Sequence, residues 1–140
     1  MRFPDWLPVY GEKSYRGECA SETTEQIDFM SWLACYYPDY HRTAVHPKNE
    51  GKRTHAQADI DRKIGALNAG ASDVIIPAGF VMEIKRRDHI KSSWQRGQKE
   101  YLLAAKKTGC FVCVALGCDG AKLAFLDWIR SKQNERQKSE

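Results

Sequence analysis

The sequence predicts an α/β protein of the α+β kind, with a small mixed β-sheet flanked by helices. Three observations predict it. Stretches of helical period and of strand period alternate in the order αβαββαβα, which gathers helices around one sheet. Two short runs, DVII and FVMEIK, flank a Pro-Ala-Gly turn and read as a hairpin. A later run, CFVCVAL, is apolar throughout, as befits a strand buried on both faces. The 140 residues, 42% hydrophobic and 29% charged, suffice for a single core.

Residues 1–20 carry Pro, Gly and aromatics without a period and read as an irregular N-terminal arm. The domain proper is expected over residues 21–130. Its first helix spans about Glu22 to Tyr37, with Ser21 or Thr23 as N-cap and Pro38 just beyond its end. Arg42–His46 is expected as a short strand. Thr54, followed by Gln57, has the pattern of a capping box and opens a helix to about Asn68, with Gly70 near its C-cap. Strands Asp73–Ile76 and Phe80–Lys85 follow. Ser92 or Ser93 is expected to cap a helix reaching Thr108, with Gly109 in the C′ position. Cys110–Leu116 is the apolar strand, and a last helix covers about Gly120 to Arg130. Residues 131–140 are wholly polar and are expected to fray as a C-terminal tail.

Composition narrows the function. No apolar run approaches the roughly 18 residues of a membrane span, and the N-terminus lacks the apolar core of a secretory signal. No membrane association is expected, and the cytoplasm is the expected compartment. The formal net charge of +4 permits a polyanionic partner without demanding one. Five cysteines, an odd number, argue against a disulfide framework. Cys110 and Cys113 have the spacing of a zinc pair, but three residues apart on a strand they face opposite sides.

The hairpin carries three charges in an apolar setting. Side chains alternate along a strand, so Glu83 and Lys85 share a face with Val81. If the loop is Pro77-Ala78-Gly79, with Gly79 at positive φ, Ile76 pairs with Phe80 and Asp73 falls opposite Glu83. Opposed residues have Cβ atoms about 4.5–5.5 Å apart. A two-residue loop would set Asp73 opposite Ile84, on the wrong face. Two facing carboxylates repel unless a proton or cation lies between them, and oxygen ligands favour Mg²⁺ or Mn²⁺ over zinc. A lysine beside such a cation can orient water or stabilise charge on a phosphate. The alternative is a cross-strand Asp73–Lys85 ion pair on a solvated face.

Asp73 with Glu83-Ile84-Lys85 resembles the PD-(D/E)XK nuclease signature. GASDVIIP, then VMEIK, then a glutamine-bearing helix, then GCFVCVALG is similar, in order and spacing, to a virus-type replication-repair nuclease (VRR-NUC) domain over roughly residues 20 to 130. The first helix with Glu22 and the segment from His46 to Arg53 fit the same resemblance. It implies a restriction-endonuclease-like core and an Mg²⁺-dependent activity, with Mn²⁺ able to substitute. Asp73 and Glu83 are the implied metal carboxylates, and the backbone carbonyl of Ile84 is an implied further ligand. Lys85 is the implied catalytic lysine. Gln98 matches the family's helix glutamine by its spacing before Gly109; Gln95 does not. Glu22 matches the acid of the first helix and would meet the metal directly or through water.

The residues themselves also support Glu22. Positions 22, 26, 30 and 33 form a helical stripe that Met30 and Leu33 turn toward the core, whereas Glu25 points elsewhere. Two positions depart from the family. Ser72 stands where the signature has proline, and the usual H-x-P-N appears shifted as His46-Pro47-Lys48-Asn49. His46 is expected to pack or to make a structural hydrogen bond.

Basic residues cluster beside the proposed centre. Lys48, Lys52 and Arg53 precede the second helix, and Arg86, Arg87, Lys91 and Arg96 follow Lys85. With Asn49 they are the expected contacts to a DNA backbone. Nothing resembles a base-reading helix. The resemblance implies a structure-selective DNA endonuclease of branched DNA, a Holliday-junction resolvase of phage or mobile-element type working as a homodimer in a bacterial host cytoplasm. Trp32, Tyr36, Tyr37 and Trp128 are candidates for a dimer surface or for the core. Alternatives are a flap- or nick-directed nuclease of repair or replication, and a catalytically silent nucleic-acid-binding fold.

Overall fold

The computed structural model describes residues 1–47, 54–65 and 68–139. The chain forms β1 (Val9–Tyr10), α1 (Glu22–Tyr36), α2 (Pro38–Thr43), α3 (His55–Lys63), β2 (Val74–Ile76), β3 (Phe80–Lys85), a 3-10 turn (His89–Lys91), α4 (Gln98–Lys107), β4 (Phe111–Leu116) and α5 (Gly117–Ser139). One sheet holds all four strands in the order β1-β4-β3-β2. β2 and β3 are an antiparallel hairpin, while β3 and β1 each pair parallel with β4. The mixed sheet flanked by helices is the expected class.

The sheet has a core on each face. On one face α1 and α5 bury Phe29, Leu33, Ala121 and Phe125 against Val74, Ile76, Phe80, Met82 and Ile84. Trp32, Tyr37 and Trp128 belong to this aromatic cluster, whereas Tyr36 is 69% exposed. On the other face α4 and the N-terminal arm cover Val81, Val112, Val114 and Leu116 with Leu102 and Leu7. Every residue of β3 is buried, because helices cover both faces. Cys113 lies in the first core and Cys110 packs against the second, so the two thiols do lie on opposite faces.

Several elements differ from the sequence reading. Residues 42–46 are not a strand: Pro38 takes the first position of α2, where a proline's missing N–H costs nothing, and the helix runs to Thr43. Only Val45 touches the sheet, bridging Ile75. Thr54 does cap α3 by accepting from Gln57 N, but the helix ends at Lys63. Ser92 and Ser93 cap no helix. Ser92 Oγ accepts from Arg86 N and the Ser93 carbonyl accepts from Lys85, so both are spent on β3. α4 starts only at Gln98, after Gly97. α5 starts at Gly117 and runs through the polar tail to Ser139, whose Lys, Gln, Glu and Arg residues are strong helix formers.

The arm is docked. Besides β1 it buries Leu7, and its carbonyls accept from side chains far along the chain: Arg2 from Trp94, Trp6 from Lys106, and Cys19 and Ala20 from Arg86.

Candidate active site

The hairpin register decides what meets at the site. Ile76 pairs with Phe80 and Val74 with Met82, and Gly79 takes φ 116°, so the loop is Pro77-Ala78-Gly79. Continuing the register sets Asp73 opposite Glu83. Asp73 Oδ2 also accepts from Ile84 N at 2.8 Å, which pins the carboxylate over the strand. The carbonyl of Asp73 accepts from Gln26 Nε2 at 3.2 Å and lies 2.9 Å from His46 Nδ1. A carbonyl only accepts, so Nδ1 of His46 carries the proton. His46 thus makes a structural hydrogen bond.

Glu83 and Lys85 are each 2% exposed. Lys85 Nζ donates to the Ser93 carbonyl at 2.9 Å and to Gln98 Oε1 at 3.0 Å, and lies 3.5 Å from Glu22 Oε1 and 3.9 Å from Glu83 Oε1. The Trp94 ring centroid lies 5.7 Å from it. The amide of Gln98 bridges the pair: Nε2 donates to Glu83 Oε1 at 2.9 Å, and Oε1 takes Lys85 and the Gln95 N–H. Glu83 Oε2 is buried with no hydrogen-bond partner. Ser72 Oγ, in the position of the family's proline, is likewise buried without one.

These groups perturb one another. Burial, and then the charge of Asp73, hold the Glu83 carboxyl well above the usual carboxylate range, with Lys85 opposing. Burial also raises Glu22, against the pull of Lys85. Among the described residues no group of three or more His, Cys, Asp or Glu is arranged to hold a metal. The donor set here is therefore two carboxylates, Asp73 and Glu83, with the Ile84 backbone between them. A buried carboxylate oxygen with no partner, facing a second carboxylate, fits a hard cation that keeps several waters, as Mg²⁺ does.

Glu22, Asp73, Glu83, Lys85 and Gln98 line one cleft of about 840 Å³ between α1 and the hairpin. The five residues expected at the centre thus come together. The stripe argument for Glu22 does not hold, however. The buried positions of α1 are Glu25, Phe29 and Leu33, and Glu22 is a partly exposed residue at the cleft edge. Glu25 points inward, where its carboxylate accepts from Cys118 N at the start of α5. Phe29 and Leu33, one turn apart, were the signal for that stripe.

The basic residues are less concentrated than expected. Lys48, Asn49, Lys52 and Arg53 lie outside the described residues. Arg86 is tied to the Cys19 and Ala20 carbonyls, Arg87 lies over the Tyr15 ring, and Lys91 donates to the Gly17 carbonyl. Arg96 is exposed. None of these four lines the cleft. The sequence reading gave no site role to Gln26, Ser93 or Trp94, which hold Asp73 and Lys85 in place.

No protein-family model and no curated protein matches the sequence. A solved structure described as a VRR_NUC domain protein does match in fold, with a TM-score of 0.64 and 22% identity, covering 83% of this chain and 92% of that chain. The chain therefore has the fold of a VRR_NUC domain protein, a mixed sheet flanked by helices.

Proposed function

We propose that this protein is a metal-dependent endonuclease that hydrolyses phosphodiester bonds in branched DNA, with the four-way (Holliday) junction as its substrate. The observation that carries the reading is the buried Glu83, one oxygen unpartnered, opposite Asp73 and beside the buried Lys85. With no metal bound, the raised Glu83 carboxyl keeps a proton beside Asp73; a cation between the two carboxylates would take that proton's place.

Asp73, Glu83 and the Ile84 carbonyl would hold Mg²⁺ or Mn²⁺, with Glu22 reaching it through water. The bound ion supplies Lewis-acid activation of water and phosphate. Lys85 brings a fixed positive charge to the cleft, where negative charge grows on the phosphate. Its ammonium is oriented before substrate arrives, since the Ser93 carbonyl and Gln98 amide hold it. Gln98 also holds Glu83, so one amide sets the spacing of acid and lysine. Arg87, Lys91 and Arg96, with Lys48, Asn49, Lys52 and Arg53, would meet the DNA backbone. A homodimer would place two such centres on a two-fold axis, matching the symmetry of a four-way junction. A bacterial or phage-infected cytoplasm is the proposed setting.

The test is cleavage of labelled four-way junction, flap and plain duplex with Mg²⁺ or with EDTA. Paired symmetric nicks in the junction alone, abolished by EDTA, are expected. Cleavage confined to flaps or nicks would move the reading to a repair or replication nuclease. Binding without cleavage under both Mg²⁺ and Mn²⁺ would make this a silent fold.

A further inference from the structure

We infer that the end of the cleft away from Lys85 is a subsite for one unpaired nucleobase next to the scissile phosphate. This rests on the nuclease reading and adds how the site selects its substrate.

The cleft has two chemically different ends. One holds Asp73, Glu83, Lys85 and Gln98. The other runs along α1, where Ile27, Met30 and Ala34 line the wall. Their spacing puts them on one side of the helix. Ile27 is 60% exposed although it is a large aliphatic residue. Met30 packs its inner side on the core beneath. Among the described residues, Lys85 is the cleft's one lysine or arginine, and it is held at the far end.

A groove that tracks a phosphate backbone needs cations along its length. Among the described residues, this wall offers none. It offers aliphatic surface, the Thr23 and Ser31 hydroxyls, and the His41 and His46 imidazoles. Nδ1 of His46 is engaged by the Asp73 carbonyl, which leaves its other ring nitrogen for a ligand. Aliphatic surface with a few neutral donors and acceptors suits a nucleobase, which has an apolar face and a polar edge. At about 840 Å³ the cleft lies in the range of roughly 300–1,000 Å³ that encloses a small molecule. The apolar end is therefore not consumed by the carboxylates.

The consequence is structural selectivity. Taking a paired base out of a duplex costs a few kcal/mol, and least for a base that is already unpaired. A flap or bulge presents such bases; a four-way junction has its bases paired but gives up stacking most easily at its centre, and plain duplex does neither. Met30 and Ile27 present no fixed hydrogen-bond pattern, so the subsite would accept any base.

The probe is a fluorescein-labelled duplex with one bulged nucleotide, compared with the same duplex carrying an abasic residue at the bulge. Anisotropy titrations in EDTA give affinities without cleavage. Wild type is expected to bind the base-bearing bulge about tenfold more tightly. Ala34→Trp, which fills the apolar end, should remove that preference. Ile27→Ala, at an exposed position, should reduce it without disturbing the fold, as circular dichroism would check. Equal affinity for the two probes in wild type, no binding of either, or a preference that survives Ala34→Trp overturns the subsite. The nuclease reading fails separately. Cleavage of junctions by wild type with no base preference sinks the subsite alone, whereas a base preference with no cleavage under Mg²⁺ sinks the nuclease reading alone.

Discussion

Gly70 and Gly97 abut backbone to backbone, and replacing Gly70 with alanine asks whether that contact sets the active-site spacing. Gly70 begins the approach to Asp73, and Gly97 precedes Gln98. A Cβ on Gly70 would lie 2.0 Å from Gly97 C, 2.2 Å from Gly97 O and 2.4 Å from Gln98 N. Carbon atoms pack at about 3.5–4.0 Å, so the two segments must part by roughly 1.5 Å. Gln98 holds Glu83 at 2.9 Å and Lys85 at 3.0 Å, and a shift of that size takes both bonds past a usable length. Gly70 also has φ 75°, which costs a non-glycine residue about 1–2 kcal/mol. Gly65, at φ 79° with nothing within 4 Å, is a matched control that carries the backbone cost alone. Gly65→Ala should lose about 1–2 kcal/mol by urea unfolding. Gly70→Ala should lose about 2–5 kcal/mol, since overpacking adds about 1–3. Junction cleavage should fall about 100-fold in Gly70→Ala and stay near wild type in Gly65→Ala. If Gly70→Ala is no less stable than Gly65→Ala and cuts normally, the contact does not position Gln98.

Other perturbations probe the rest of the site. Lys85→Ala should lower the cleavage rate by about 10²–10³ while DNA affinity by anisotropy changes little; unimpaired cleavage would remove Lys85 from the chemistry. Glu25→Ala leaves the Cys118 N–H buried without its acceptor and should cost about 1–3 kcal/mol with cleavage by the folded protein unchanged. A loss of cleavage at wild-type stability would show that Glu25 acts on the centre instead. The raised Glu83 carboxyl binds a proton in the folded chain that the unfolded chain has released. Stability in EDTA should therefore fall as pH rises from the ordinary carboxylate range through the raised value, with Glu22 adding in the same sense. His89, lowered chiefly by burial, acts with the opposite sign below its ordinary value, so wild type minus Glu83→Gln isolates the acid. Thermal melts from pH 5 to 8 should show that difference in EDTA and lose it in Mg²⁺; a flat difference in EDTA would refute the coupling.

The sequence was most readable where structure is local. Alternation and an odd loop were enough to bring Asp73 to Glu83, because hairpin register is set within a dozen residues or so. The apolar run of β4 showed its double burial directly. Glu22 reached the cleft, but the stripe used to argue for it was one position off: Phe29, Met30 and Leu33 support two phases, and only α5, which Glu25 caps, chooses between them. Ser92 and Ser93 looked like helix caps because local pattern cannot show that β3 claims them. That the arm engages Arg86, Arg87 and Lys91 could not be read locally, because their partners there lie far away in sequence. The two-residue β1 has no period to detect and exists only because β4 presents an edge.

That docked arm has a consequence for how the molecule comes into being. Val9 pairs with Val114, Lys106 reaches Trp6 across 100 residues, and Trp94 reaches Arg2 across 92. The arm therefore finds these partners only after the segments that carry them, 92 and 100 residues further on, have been made. Contacts of such long separation close late, once loop-closure entropy has been met by the hairpin and helices. Trp94, whose ring stands by Lys85, receives its backbone anchor at that stage. The enclosure around the buried lysine is thus completed by a contact of long separation, and it closes later than the hairpin that carries the lysine.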